Sequence, residues 1–141
     1  MFRMFDSPLD PAKLRLAMRD DGAGACVAFE GTVRDQSGGR EVLALDYEAY
    51  APLAESEGAR IISEARAKFQ VAGAAVAHRT GRLAPGDLAV WVGVVSEHRG
   101  PAFEACRYII DQLKARVPIW KREHYADGMS SWINSVTGLS R

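Results

Sequence analysis

The 141-residue chain has few of the side chains that hold metal ions or form disulfide bonds. It contains two cysteines, Cys26 and Cys106, and three histidines, none of them spaced as zinc ligands or as a CxxC pair. Both cysteines stand among apolar residues, so we expect buried free thiols that pack as small hydrophobic side chains. The sequence therefore predicts no structural metal site.

The sequence also lacks net charge and long apolar runs. Its 18 basic residues balance 18 acidic ones, so no overall field draws the protein to nucleic acid or membrane, and any anion site must be local. No run reaches transmembrane length, and the first 15 residues lack the apolar core of a signal peptide. We expect a cytoplasmic protein with one domain spanning residues 1–141.

Several motifs of common enzyme classes are absent. The glycines of "DGAGACVAFEG" do not fit GxGxxG, and they precede a predicted strand instead of opening a helix. There is no Walker A, GxSxG or HExxH motif either. These absences argue against a dinucleotide-binding enzyme, a P-loop NTPase, an α/β-hydrolase and a zinc protease.

Caps, prolines and hydrophobic periodicity predict the secondary structure. The expected helices run from Pro11 to about Met18, over 52–69 with Ile61, Ile62 and Ala65 inward, and over 101–117, where Pro118 ends the last one. The expected strands cover 2–5, 25–35, 42–50, 74–83, 88–98, 119–125 and 130–134. The order favours an α+β fold with a mixed, mainly antiparallel sheet and about three helices.

Two details of this pattern are specific enough to test. The strand over 42–50 alternates, with Leu43, Leu45 and Tyr47 on its buried face. The "QSGGR" stretch that precedes it, residues 36–40, is expected to be an exposed, mobile loop.

Lysine is scarce, and two of the four lysines stand close together in the sequence. Lys114 and Lys121 are seven residues apart around Pro118, in a chain with fourteen arginines. Lys114 lies on a helical wheel beside Phe103, at the edge of an apolar sector formed by Ala102, Phe103, Cys106, Ile109, Ile110, Leu113 and Val117. Taken alone, this position fits an ordinary lysine whose stem packs on the core while its amine reaches solvent.

Lys121 gives the pair a possible chemical role. In an extended "IWKRE" segment, Ile119, Lys121 and Glu123 share one face, and the break at Pro118 lets this segment fold back beside the helix. Two ammonium groups in a partly desolvated cleft lower each other's proton affinity, which frees an amine for nucleophilic or general-base work. Arginine cannot supply that neutral amine. The alternative is two unrelated surface lysines.

Two further stretches are candidates for anion binding. "SEHRGPAF" (96–103) places His98 and Arg99 where a strand ends and a helix begins, and free N–H groups at a helix start favour an anion such as phosphate. A turn that is basic by chance fits equally well. "FEGTVRD" (29–35) has a glycine within a strand, which often marks a bulge or a close approach of ligand, with Arg34 just after it.

In this order, these stretches resemble the large, catalytic subunit of molybdopterin synthase. The blocks that carry the resemblance are "FEGTVRD", "LDYEAY", "HRTGRLAPGD", "VWVGVVSEHRGPAFEACRYIIDQLKARVPIWKRE" and "DGMSSW". They extend over nearly the whole chain from Cys26 to Trp132. The long block from Val90 to Glu123 is the most specific part.

The resemblance implies an α/β-hammerhead fold and a set of partners. Two large subunits would form a central dimer, with a small ubiquitin-like sulfur-carrier subunit at each end of a heterotetramer. The carrier's Gly-Gly tail, ending in a thiocarboxylate, would enter a pocket and deliver two sulfurs in turn to cyclic pyranopterin monophosphate, giving the molybdopterin dithiolene. No cofactor would be needed, because the sulfur arrives already activated.

The resemblance also implies roles for particular residues. Lys114 and Lys121 match the two active-site lysines, and Arg34, His98 and Arg99 match the substrate-anion site. The backbone of Thr32 and Val33 would line the pocket, with Arg122 and Glu123 beside Lys121. The segment after Pro118 is expected to form one wall of the tail channel and to accept the tail as an added strand.

An alternative function of another class stays open at this point. The same basic pocket could serve a non-catalytic module that holds a carrier-protein tail or a nucleotide. The final residues, "NSVTGLSR", match no motif, so no site residue is assigned to the tail and its relation to the dimer is left open.

Overall fold

A computed structural model of the chain describes residues 1–134, and the tail from Ser135 onward lies outside the described residues. Three helices occur within the described part: α1 (Pro11–Ala17), α2 (Ala51–Lys68) and α3 (Arg99–Arg116). The same part holds nine strands: β1 (Phe2–Phe5), β2 (Ala25–Thr32), β3 (Gln36–Ser37), β4 (Arg40–Glu48), β5 (Gly73–Arg79), β6 (Gly81–Leu83), β7 (Leu88–Ser96), β8 (Trp120–Tyr125) and β9 (Ser130–Asn134). The predicted α+β class with three helices is confirmed.

The first sheet has the strand order β1-β5-β7-β2. β1 pairs with β5 in parallel, while β5 and β2 pair antiparallel with the central β7, as predicted for the pair formed by β5 and β7. β2 therefore forms one edge of this sheet, with Ala25 opposite Ser96 and Thr32 opposite Leu88. On one face α2 packs against β1 and β5 and α3 packs against β7 and β2, while α1 packs against β7.

The main core lies between this sheet and the two long helices. Ile61, Ile62 and Ala65 are buried there, as predicted for α2. The predicted burial of the apolar sector of α3 is confirmed except at Phe103, whose side chain is 60% exposed. Ala105, which the wheel left out, is fully buried instead, since α2 packs against α3 on that side.

The second sheet has the order β3-β4-β8-β9, and β6 also pairs with β4. The expected strand over 74–83 is divided between the two sheets at Gly81, whose φ of 91° turns the chain away from the first sheet. In β4 the predicted alternation is wrong at Leu43, which is 55% exposed. A bulge between Val42 and Ala44 shifts the register there, so Val42 and Leu45 take the buried positions.

The hairpin before β4, the two cysteines and the end of α3 show further local structure. The "QSGGR" stretch is largely exposed as expected, but it forms a tight hairpin turn, because Gly38 and Gly39 adopt positive φ and let β3 pair with β4. Cys106 is buried as expected, but Cys26 is exposed, since it lies on an uncovered face of the edge strand β2. α3 ends at Arg116, with Val117 as its C-cap, so the helix stops before Pro118 as predicted.

Among the described residues, no helix has both the length and the apolar character needed to cross a membrane.

Candidate active site

The direction of α3 decides which candidate residues can meet. α3 begins just after β7 ends at Ser96, and the Cys106 thiol donates to the Val92 carbonyl oxygen at 3.8 Å, in the middle of β7. α3 therefore runs antiparallel to β7 and in the same direction as β2. Its C-terminal end lies at the Thr32 end of β2, and its N-terminal end lies at the Ala25 end.

Lys114 lies in the last turn of α3, on the side away from α2. The α2 side is marked by Arg116, which donates to Glu64 Oε1 at 2.6 Å, and by Tyr108, which donates to the same oxygen at 2.9 Å. Lys114 is two residues from Arg116, or about 200° of rotation around the helix. Its exposed side chain is thus on the β2 side of α3, near the end of that strand.

Lys121 lies in β8 and forms an ion pair with Glu123 on the same strand face. Its Nζ is 3.6 Å from Glu123 Oε1, and the Glu123 side chain is only 7% exposed. The second carboxylate oxygen, Oε2, is buried and accepts no hydrogen bond among the described residues. A buried carboxylate without a partner charge would be costly. The Lys121 ammonium therefore stabilises the fold by pairing with Glu123, in addition to any chemical role that it has.

Tyr47 belongs to this site and was not singled out from the sequence. It stands opposite Lys121 in the pairing of β4 with β8, and its ring meets His78 edge-on, with centroids 5.0 Å apart. Burial, followed by the negative charge of Glu123, raises the pKa of Tyr47. The alternation of β4 predicted an inward Tyr47, which is half-buried against the core, but only the strand pairing shows that it adjoins Lys121.

His78, next to Tyr47, is a buried and neutral side chain. Its Nδ1 donates to the Arg79 carbonyl oxygen at 2.8 Å, and burial lowers its pKa to about 4. The pair Tyr47 and His78 thus forms an uncharged floor beneath the pairing of β4 with β8.

Arg122 lies on the opposite face of β8 from Lys121. Its Nε and Nη2 donate to Ser130 Oγ at 3.0 and 2.8 Å. On that same face His124 Nε2 is 2.6 Å from Asp46 Oδ2, and Arg82 Nε donates to Asp46 Oδ1 at 3.0 Å. The structure therefore places Arg122 beside Lys121 in sequence but not in the same pocket.

β8 also cannot accept an incoming strand. It is paired with β4 on one side and with β9 on the other. The prediction that the carrier tail adds to this segment is wrong, because the "SSWIN" strand already occupies the position.

Thr32, Val33 and Arg34 follow each other at the end of β2, where its register shifts after Gly31. The N–H of Val33 donates to the Asp87 carbonyl oxygen at 3.0 Å, and its own carbonyl oxygen accepts from the Gly86 N–H at 2.8 Å. The Val33 backbone is therefore engaged within the chain. Thr32 and Arg34 are exposed, and Arg34 forms no ion pair among residues 1–134.

His98 and Arg99 lie at the other end of α3. His98 is the N-cap residue with an extended backbone, its side chain makes no capping hydrogen bond, and both residues are exposed. Fifteen residues of helix separate Arg99 from Lys114, which is about 22 Å along the helix axis. One chain alone therefore does not bring His98 and Arg99 to the lysines.

The candidate residues thus form two groups on one molecule. At the lysine end, Thr32 and Arg34 lie at the end of β2 beside the last turn of α3 with Lys114, and β8 with Lys121 and Glu123 follows α3 in the chain. The histidine end contains His98 and Arg99. The lysine end combines amines that can act as bases or nucleophiles with a guanidinium that stays charged. The histidine end offers a helix start, an imidazole and a guanidinium to an anion.

Comparisons with known proteins identify the family of the chain. The model of the family described as "MoaE protein" matches residues 4–116. The molybdopterin synthase catalytic subunit of Thermoplasma volcanium is 48% identical over 127 residues, which cover 90% of this chain and 93% of that protein. The rice protein of the same name, from Oryza sativa subsp. indica, is 49% identical over 85% of this chain, and the match spans 62% of its own length.

The solved structures show the same fold. The crystal structure of molybdopterin synthase from Staphylococcus aureus superposes with a TM-score of 0.88 at 37% identity and covers 93% of this chain and 95% of that one. The resemblance inferred from the sequence motifs is therefore confirmed. This chain belongs to the MoaE family, the family of the catalytic subunit of molybdopterin synthase.

Proposed function

We propose that this chain transfers sulfur from a thiocarboxylated ubiquitin-like small subunit to cyclic pyranopterin monophosphate, forming the dithiolene of molybdopterin. The observation that carries this proposal is the 48% identity to a named catalytic subunit over 90% of the chain. The lysine end adds chemical support, because it offers two amines and a guanidinium at one end of α3.

Lys114 is the candidate for direct chemistry. Its amine is exposed on the β2 side of α3, where a thiocarboxylate and a pterin could both reach it. Lys121 is the second candidate, and its ion pair with the buried Glu123 fixes the position of its ammonium. In this proposal Glu123 orients Lys121, while the two lysines bind and activate the reacting groups.

The phosphate of the substrate is assigned to Arg34, His98 and Arg99. These residues are exposed and can take part in charge-assisted hydrogen bonds with phosphate oxygens. Because His98 and Arg99 lie about 22 Å from Lys114 along α3, they complete a site in a second copy of the chain. The central dimer that the sequence motifs imply would then be required for activity.

The remaining parts of the proposal concern partners and place. The small subunit supplies sulfur that is already activated, so the chemistry needs no redox cofactor or metal from this chain. The carrier's Gly-Gly end suits a narrow channel because glycine lets a backbone pass between side chains. We place the reaction in the cytoplasm.

The test is to mix the purified chain with thiocarboxylated small subunit and cyclic pyranopterin monophosphate, and to assay the dithiolene product. Product that depends on the chain supports the proposal. A stable complex with the small subunit but no product would instead support a non-catalytic module that holds a carrier tail. Calorimetric titration of the precursor into Arg34→Ala, His98→Ala and Arg99→Ala variants then tests the phosphate site, since each should bind more weakly than wild type.

A further inference from the structure

The turn over residues 84–87 is closed by two hydrogen bonds. Pro85 and Gly86 take its two central positions in the pattern of a type II turn, since Gly86 has a φ of 89° and the Asp87 N–H donates to the Ala84 carbonyl oxygen at 3.0 Å. A second hydrogen bond closes the turn from the other side, because Asp87 Oδ2 accepts from the Ala84 N–H at 2.9 Å. The turn therefore fixes the directions of the peptide groups that it presents to its neighbours.

Two of these peptide groups contact Val33, just after β2. The Gly86 N–H donates to the Val33 carbonyl oxygen at 2.8 Å, and the Val33 N–H donates to the Asp87 carbonyl oxygen at 3.0 Å. The Val33 side chain is 6% exposed and lies in one apolar cluster with Leu83 and Ala89, which flank the turn. Both the backbone and the side chain of Val33 are thus held by this turn and its flanks.

Asp87 also has a charged partner that keeps its carboxylate at the turn. Arg79 Nη1 is 3.9 Å from Asp87 Oδ2, and the Arg79 side chain is only 11% exposed. The Nε of Arg79 is buried and has no hydrogen-bond partner among residues 1–134. Because a buried guanidinium without a counter-charge is costly, Asp87 stabilises the fold as well as closing the turn.

We propose that Asp87 is a positioning residue for the phosphate site, and that it acts through the Val33 backbone on Arg34. Side chains alternate along an extended chain, so the inward Val33 directs its neighbours Thr32 and Arg34 outward, and both are exposed. The turn thereby fixes the point from which the Arg34 guanidinium reaches an anion. This inference rests on the proposed function for the identity of the anion, whereas the contacts with Val33 are independent of it.

The first experiment is a calorimetric titration of cyclic pyranopterin monophosphate into variants of the full chain. Asp87→Ala removes the side-chain acceptor and should weaken binding by about fivefold, while Asp87→Asn keeps an acceptor of the same shape and should bind nearly as wild type. Gly86→Ala strains the positive φ without a steric clash and should also weaken binding. Gly128→Ala is the matched control, because Gly128 has a φ of 83° and equally open surroundings in another turn. It should bind as wild type.

A double variant separates positioning of Arg34 from any other effect of the turn. Asp87→Ala combined with Arg34→Ala should bind no more weakly than Arg34→Ala alone, because both changes act through the same guanidinium. Losses that multiply in the double variant would overturn the proposal, and so would wild-type affinity in both Asp87→Ala and Gly86→Ala. Thermal melting confirms that each variant is folded at the temperature of the titration.

The second experiment tests the hold on Val33 without any substrate. Hydrogen exchange of the Val33 amide, followed by NMR in the full chain, should be about tenfold faster in Asp87→Ala and Gly86→Ala than in wild type. It should be unchanged in Gly128→Ala and Arg34→Ala. If wild type binds no precursor while the exchange rates change as expected, the phosphate site of the proposed function fails and the hold on Val33 stands. Unchanged exchange in both turn variants would overturn the inference itself.

Discussion

Lys114 combines an exposed position with a specific chemical requirement. Because its side chain is exposed, Lys114→Ala should leave the fold and melting temperature unchanged. We predict that it abolishes dithiolene formation, and that Lys114→Arg fails too, since a guanidinium stays protonated and offers no neutral amine. The product assay with melting controls checks this. Near wild-type turnover in Lys114→Arg would show that Lys114 acts only as a cationic clamp for the anion.

His78 should make the fold sensitive to acid. Its pKa is about 4 in the folded protein against 6.5 ordinarily, so the unfolded chain takes up the proton first as pH falls through 6.5. Stability is therefore lost between pH 6.5 and about 4, by on the order of 3 kcal/mol. His78→Asn keeps a donor near the Arg79 carbonyl but cannot titrate. Denaturant unfolding across this range should give a flatter profile of stability against pH for His78→Asn than for wild type. Equal slopes in the two proteins would contradict this role of His78.

At the scale of the elements, α2 and α3 are held together by one charged network. Arg116 donates to Glu57 Oε1 at 2.9 Å and to both carboxylate oxygens of Glu64, and Tyr108 also donates to Glu64. The hydrogen bonds from Arg116, followed by that from Tyr108, lower the pKa of Glu64 to about 2. Because the pKa of Glu64 is lower in the folded protein, its charge stabilises the fold at pH values above the ordinary carboxyl pKa of 4.5. This contribution is lost as the pH falls through about 2.

The corresponding prediction is a stability difference that depends on pH. Glu64→Gln should have a lower melting temperature than wild type at pH 7. The difference in melting temperature should shrink as the pH falls from 4.5 toward 2, because protonation of Glu64 then removes the same charge from wild type. The exposed Glu104→Gln on α3 serves as the control and should melt as wild type. A difference in melting temperature that stays constant down to pH 2 would contradict the stabilising role of the Glu64 charge.

The elements also show what a sequence can predict. The starts and ends of the helices were predictable because Asp10, Pro11 and Pro118 act locally on the backbone. The exposed Leu43 and the hairpin at Gly38 and Gly39 were not, since a bulge and a turn depend on how two strands pair. β8 is an interior strand because β9 pairs with its second edge. The alternation of "IWKRE" predicts a strand but does not show which edges of it are already paired.

At the scale of the whole molecule, the sequence motifs predicted site residues that the fold distributes over the two ends of α3, and their roles stay predictions. Lys114 lies in the last turn of α3, and Lys121 and Glu123 follow in β8 just after Pro118, where they form an ion pair with each other. The motifs joined His98 and Arg99 to the same pocket, although the length of α3 keeps them apart within one chain.

The most direct measurement mixes two inactive variants. A Lys114→Ala chain and a His98→Ala, Arg99→Ala chain are purified separately, then exchanged into mixed dimers and assayed for dithiolene product with thiocarboxylated small subunit and precursor. In a mixed dimer one site loses both groups and the other keeps both. Random exchange should thus restore about one quarter of wild-type activity, because half of the dimers are mixed and each has one intact site of two. No recovery above the separate variants, with exchange verified, would contradict a site shared between two copies.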